Sequence, residues 1–497
     1  MLRQSSLLSG LFLPQKIRGA SGPNNPDPSV FGEHWRDAIS YLLGMARAAG
    51  ADFADIFLER SEVRQLATQD NAISQADSSL LLGAGVRVAR GLTTSLVSTT
   101  DITTMGLQQA LGKALQAAGC KDLGQCIWLQ ELELEPLKDF AEIKGKNRWH
   151  AENASSKDTA DMLLRWNGKL QKNLGKVEST LTSGMIHWQE VLVANTDGVF
   201  ARDIRLTQFV RSDALVVDGA HRFNARDSIG STGIPDWILN IDLETIVSQA
   251  EQSTKDMLRA EFVEAGQYPV LIGNGFGGVI LHEACGHLLE TNSLLRGISP
   301  FKDKREQMIA HPAVTAWDEG HSANLYGSLD MDDEGMSAQA TLLIEDGILR
   351  NFMIDRLGSS RLNLPRTGSG RRQNFKFAPT ARMRNTYFAA GEASSDDMIA
   401  AVGNGLYCKT MGGGSVDSTG QFNFSVRDAW EIKNGKLTKP LKGAVLIGSG
   451  ADVLKKISLV GRDLDLGPGH CGSISGTIYT TCGQPHIKVD NITVGGR

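Results

Sequence analysis

Three turn signals, Asn195-Thr196-Asp197-Gly198, Glu345-Asp346-Gly347 and Lys433-Asn434-Gly435-Lys436, lie beside runs of strand-forming residues. Turns this tight join only antiparallel neighbours, because a parallel connection needs a crossover of a dozen residues or more. The chain must therefore build antiparallel sheet both before and after its midpoint. Helical signals accompany these strands. Trp35, Ala38, Ile39, Leu42, Leu43 and Ala46 recur at amphipathic spacing ahead of Gly50, and Met105 to Ala118, Ser156 to Leu170 and a stretch between Ile241 and Ala260 read as further helices. Phe53 to Leu58, Ala84 to Val88 and Leu181 to Val210 read as strands.

With 497 residues, two large or three ordinary domains are expected at about 150 residues each. The helix before Ala260 gives way to the glycine-rich run Gly266 to Gly278, which sets a boundary near residue 260. We expect an α+β chain of two domains: a mixed α/β domain over residues 34–259, and a domain over 260–497 dominated by antiparallel sheet around one or two helices. Residues 1–33 read as a disordered extension in preference to a targeting segment, since the apolar run Leu7 to Leu13 is broken by Gly10 and stopped by Pro14.

Composition narrows the function. Lys and Arg number 51 against 56 Asp and Glu, a net charge of -5 that gives no electrostatic footprint for nucleic acid. The longest apolar stretch, Tyr268 to Ala284, contains Asn274, His282, Glu283 and several glycines, so no membrane span is expected. Six cysteines at 120, 126, 285, 408, 471 and 482 show no repeated short spacing. A disulfide framework is not expected, and we place the protein in the cytoplasm.

The strongest chemical signal is His282-Glu283-Ala284-Cys285-Gly286-His287, two imidazoles and a carboxylate in a segment that reads as helix just after the strand Tyr268 to Ile272. Zinc hydrolysis needs neutral nitrogen donors, a third protein ligand, an open position and a nearby carboxylate to take a proton from water. The familiar HExxH spacing puts both histidines on one helix face. Here the spacing is HExxxH, which in a regular helix sets them about 140° apart instead of about 40°. A one-residue π-bulge, eased by Gly286, would bring them together; otherwise they lie on different faces of an ordinary helix. Two sulfurs are candidates for the third ligand: Cys285 inside the motif, and Cys471 in Gly467-Pro468-Gly469-His470-Cys471-Gly472, which reads as a glycine-flanked loop. The remaining cysteines read as small buried hydrophobes.

The sequence resembles the TldD/PmbA metallopeptidases, also described as modulators of DNA gyrase, and is most similar to their TldD branch. The resemblance rests on His282 to His287, Gly327-Ser328-Leu329-Asp330-Met331-Asp332-Asp333-Glu334-Gly335, Thr367-Gly368-Ser369-Gly370-Arg371-Arg372 and Arg384-Asn385-Thr386-Tyr387. It continues through Gly412-Gly413-Gly414, Lys442 to Gly448 and Val489 to Gly496, with a looser match at Gly50 to Asp55 and Gly83 to Val88. The resemblance implies that His282, His287 and Cys471 bind Zn2+ and that Glu283 is the catalytic base. It also implies hydrolysis of flexible or unfolded peptides, and a dimer formed with itself or with a PmbA-like subunit. PmbA-like subunits lack this residue set, so its presence points to the active branch. Cys285 stands where the family usually has an aliphatic residue, and His470 precedes the ligand cysteine.

Other motifs compete with this reading. Gly273-Asn274-Gly275-Phe276-Gly277-Gly278 fits a dinucleotide-binding fingerprint, but Ser299 to Lys304 reads as a polar loop where an acid-tipped strand is needed, so an oxidoreductase is disfavoured. Asp330 to Gly335 begins like a calcium loop and then offers Thr341 where a bidentate Glu is required; we read it as a solvated acidic turn. Arg371-Arg372 reads as a solvated or salt-bridged surface pair. A non-catalytic, partner-binding subunit is the alternative to the peptidase.

Overall fold

A computed structural model describes residues 30–496 apart from 124–130, 151–152, 323 and 418. The extension expected over residues 1–33 falls outside these up to residue 29; Phe31 is buried and packs edge-on against Trp35.

Residues 53–232 supply a seven-stranded sheet. Its spine is two long hairpins, Phe53–Gln69 with Ala72–Arg90 and Val177–Asn195 with Phe200–Asp218, paired antiparallel through Phe53–Gln69 and Val177–Asn195. The second hairpin turns at Asn195 to Gly198, as expected. The first was legible only at its outer ends, and it turns through Asp70 and Asn71, both with positive φ. Period-two alternation divides the faces. Ala54, Ile56 and Leu58 pack with the helices Arg36–Ala48 and Thr104–Ala117, while Phe57 faces the other way, against Met331 and Phe375 of the C-terminal half. The helices Ser156–Leu174 and Leu243–Leu258 cover the far end of the helix-bearing face.

Beyond residue 260 two further large sheets form. In one, Gly405–Val416, Gly266–Ile272, Ile487–Gly495, Val445–Ser449 and Gln421–Lys433 pair in that order, and the first also pairs with the last, closing a five-stranded ring. The other carries the hairpin Asp465–Ser473 and Gly476–Gln484 at its edge. Most pairings are antiparallel, so the α+β class is observed.

The acidic turn at Asp330 to Gly335 departs from expectation. Asp332, Asp333 and Glu334 are buried, because arginines from distant parts of the chain reach them. Arg87 Nη2 lies 2.9 Å from Glu334 Oε1 and also contacts Asp55, and Arg205 Nη1 lies 2.6 Å from Asp333 Oδ1. This network joins the N-terminal sheet to the C-terminal half, and such buried pairs hold only while every partner is present.

Candidate metal centre

The strand Gly266–Ile272 sits between two neighbours in the closed ring, so its end is fixed. The chain then passes through a short 3-10 turn, Gly275–Gly278, into the helix Val279–Ala284. A Cβ at Gly278 would lie 2.4 Å from the backbone nitrogen of Gly483, so glycine lets the helix start against the strand Gly476–Gln484. This contact sets the helix beside the hairpin that bears Cys471.

The expected π-bulge is not what reconciles the HExxxH spacing. The α-helix ends at Ala284, Cys285 adopts φ -129 and ψ -47, and the chain continues as a 3-10 turn over Gly286–Leu289. This break rotates His287 back toward His282. Gly286 is required for a different reason than helix deformability: a Cβ there would sit 2.1 Å from Met383 Sδ. Cys471 also lies in a regular strand, opposite Ile478, and not in a loop.

The structure brings His282, His287 and Cys471 together. Cys471 Sγ is 3.3 Å from Nε2 of each histidine, and the three donor atoms lie within 4.8 Å of one another. Burial alone would raise the Cys471 thiol, but the two imidazoles outweigh it and bring it down to about 3, so the sulfur is a thiolate. Two imidazoles and a thiolate suit zinc better than magnesium or calcium. Zinc bond lengths at a tetrahedral angle put sulfur and nitrogen donors about 3.6 Å apart, close to the two spacings seen, so the residues suit this ion by donor type and by these two spacings. Glu283 Oε2 is 3.8 Å from His287 Nε2, which puts the carboxylate at the edge of the donor triangle.

Two positioning residues escaped the sequence reading. Glu290 is buried, and its Oε2 lies 3.1 Å from His287 Nδ1. The H-x-x-E spacing was available as a signal. Arg382, fully buried, donates from Nη2 to the carbonyl oxygen of Cys471 at 2.6 Å and from Nη1 to Ser475 Oγ at 2.9 Å, which pins the hairpin end. No local pattern marks it.

The other candidates stand apart from the donor triangle. Cys285 is buried in the apolar core, its thiol pushed up to about 12 by burial. His470 faces away from the triangle, and its Nε2 is 3.0 Å from the Tyr326 hydroxyl. Cys482 lies near Glu283 and Cys471, but burial, with those two charges, raises it to about 12 and keeps it a thiol. Cys126 lies outside the described residues. The segment Ser299 to Lys304 contains no strand, so the glycine run lacks the acid-tipped strand of a dinucleotide site. Arg371 and Arg372 are largely enclosed and not the expected surface pair. A cavity of about 520 Å³ borders the Cys471 hairpin and is lined there by His470, Thr477, Ile478 and Tyr479 and not by the three donors.

Comparison with known proteins gives a consistent picture. Residues 265–496 match the model described as PmbA/TldA metallopeptidase C-terminal domain, and residues 54–118 match PmbA/TldA metallopeptidase domain 1. The metalloprotease TldD homologues of Haemophilus influenzae and Buchnera aphidicola are 35% and 34% identical, each match covering 90% of this chain and 93% of the relative. A zinc metalloprotease TldD homologue of Saccharolobus solfataricus is 31% identical over 51% of this chain and 57% of its own length. The crystal structure of TldE from Thermococcus kodakarensis shares the fold, with a TM-score of 0.72 at 19% identity over 92% of this chain and 100% of that one. No helix among the described residues is long and apolar enough to cross a membrane.

Proposed function

Because the chain belongs to the PmbA/TldD metallopeptidase family, we propose that it is a zinc-dependent peptidase that cleaves flexible or unfolded peptides, with His282, His287 and Cys471 as zinc ligands and Glu283 as general base. The observation that carries this reading is the convergence of two imidazole nitrogens and a thiolate from positions up to 189 residues apart, with a carboxylate beside them. When bound, zinc supplies Lewis acidity, polarising the scissile carbonyl and acidifying water. Glu283 accepts the proton released as water attacks and returns it to the leaving amine. Glu290 holds the Nδ1 side of His287, so that Nε2 would be the nitrogen available to hold a metal. Arg382 keeps the Cys471 backbone in register.

The same reading carries a dimer, formed with itself or with a PmbA-like subunit, and a cytoplasmic setting. Metal analysis of the purified protein, run beside digestion of an unstructured peptide mixture, tests it. About one zinc per chain and chelator-sensitive cleavage are expected. A metal-loaded protein that cleaves nothing would instead support the partner-binding reading.

A further inference from the structure

Residues paired directly across an antiparallel ladder share a face. Cys471 pairs with Ile478 and faces the metal triangle; His470 pairs with Tyr479, and those two face the cavity of about 520 Å³ between the halves. The cavity reaches His470 and Tyr479 on one face of the hairpin and also Thr477 and Ile478, the latter opposite Cys471, while His282, His287 and Cys471 do not themselves line it. Its floor is the N-terminal sheet, where Glu59, Ser61, Val63 and Gln65 alternate along about 20 Å of strand. A sheet face covered by another domain is ordinarily apolar, and this one is polar over most of that length.

At the hairpin end of the cavity stands Arg371. Its Nη1 donates to the carbonyl oxygens of Tyr479 at 2.6 Å and Met383 at 3.2 Å, which fixes the guanidinium plane. Among the described residues it forms no ion pair, and its Nε and Nη2 have no protein acceptor. Asp333, Glu59 and His187 beside it are already engaged or neutral. Asp333 is paired with Arg205 and accepts from the Arg372 backbone nitrogen at 2.7 Å. Glu59 accepts from Gln189, Ser61 and the Phe375 nitrogen, and burial raises its pKa. His187 bonds the Tyr479 hydroxyl through Nδ1, has a buried Nε2 with no partner, and is pushed down to about 4 by burial and then by Arg205, so it is neutral. Arg372 lies over the Phe57 ring and donates from Nη2 to the Asp333 carbonyl oxygen at 3.1 Å, while its Nε and Nη1 are buried without partners. Burial lowers Arg371 to about 10, which still leaves it charged at neutral pH.

An enclosed, oriented guanidinium with a free N–H edge is a receptor for a planar anion, and carboxylate is the anion that matches it in two parallel hydrogen bonds. We propose that the cavity holds an extended peptide whose C-terminal carboxylate is received by Arg371, with its backbone lying along the polar floor. The identification of the ligand as a peptide rests on the peptidase reading above. The free Nε–Nη2 edge of Arg371 matches one carboxylate, and Gln65 on the floor offers a donor and an acceptor to a backbone without selecting side chains.

The test reads binding instead of turnover. Zinc-loaded Glu283→Gln protein is titrated by calorimetry with hexaalanine as the free acid and as the C-terminal amide. The free acid should bind about 10- to 100-fold more tightly, the range expected for charged hydrogen bonds. Arg371→Gln should bring the two forms within about twofold while zinc content stays at its starting level, and Arg371→Lys should recover part of the preference. Equal binding of acid and amide, binding of neither, or a preference that survives Arg371→Gln would each overturn the proposal. The acid-to-amide comparison stands even if the Arg371 variants fail to fold. If the preference is found in a protein whose unsubstituted form never cleaves peptides, the peptidase reading fails and the carboxylate site remains.

Discussion

Glu290 Oε2 lies 3.1 Å from His287 Nδ1 while the other ring nitrogen of the same histidine lies 3.3 Å from Cys471 Sγ. One imidazole thus bridges a buried carboxylate and a thiolate. The carboxylate determines which nitrogen keeps its proton and so which one can donate to a metal. Glu290 is held in turn by the Met383 backbone nitrogen at 3.3 Å.

Glu290→Gln should weaken zinc binding by about 10- to 100-fold, the usual effect of losing such a partner. Competition against a chelator of known affinity measures it. Unchanged affinity would show that the 3.1 Å contact does not hold His287 in its ligating orientation.

Glu283→Gln should keep zinc and lose hydrolysis, because the amide is nearly isosteric but cannot accept a proton from water. Removal of a general base typically costs about 10²–10⁴ in rate. Zinc content by elemental analysis and kcat on an unstructured peptide separate the two effects, and undiminished kcat in the metal-loaded variant would remove Glu283 from the mechanism.

The two sulfurs should behave oppositely. Cys471→Ser should release zinc and abolish activity, since the thiolate is one of the three donors proposed for the ion. His282→Ala and His287→Ala should also lower metal content. Cys285→Ser should leave zinc in place and cost only core packing, because its side chain lies in the apolar cluster. Zinc lost from Cys285→Ser but kept by Cys471→Ser would reverse the assignment.

How much of this was legible beforehand follows from what each feature depends on. The turn at Asn195 to Gly198 and the four long helices are local, and their signals lie within a few residues. The hairpin Phe53–Gln69 and Ala72–Arg90 was read only at its ends, because Glu62, Arg64, Gln75, Asp77 and Ser79 interrupt the apolar alternation where the sheet borders the cavity or solvent. The burial of Asp332, Asp333 and Glu334 was invisible because their partners, Arg87, Arg205 and Arg366, come from elsewhere in the chain. At the metal centre the residue types were readable, but their geometry was not. A helix break at Cys285 and a strand at Cys471 replace the bulge and loop that spacing and glycines suggested.

Asp355 gives a pH-dependent test of the junction. Its carboxylate accepts from the Gly358 nitrogen at 2.7 Å and the Ala381 nitrogen at 2.8 Å, yet burial, reinforced by Glu334, raises it from its ordinary 3.8 to about 6. Between those values the native protein holds a proton that the unfolded chain has released, so this group's contribution falls as pH rises through the window and is fully lost above it. A gap of this size corresponds to about 3 kcal/mol. Asp355→Asn cannot titrate, and its lost or altered hydrogen bonds shift stability by an amount independent of pH. Urea midpoints of the two proteins, measured in chelator so that ligand protonation does not enter, should therefore diverge with pH. From pH 4 to 7 the unsubstituted protein should lose up to about 3 kcal/mol relative to Asp355→Asn. A difference that stays flat, or that grows in favour of the unsubstituted protein, would show that Asp355 is not held above its ordinary pKa at the junction.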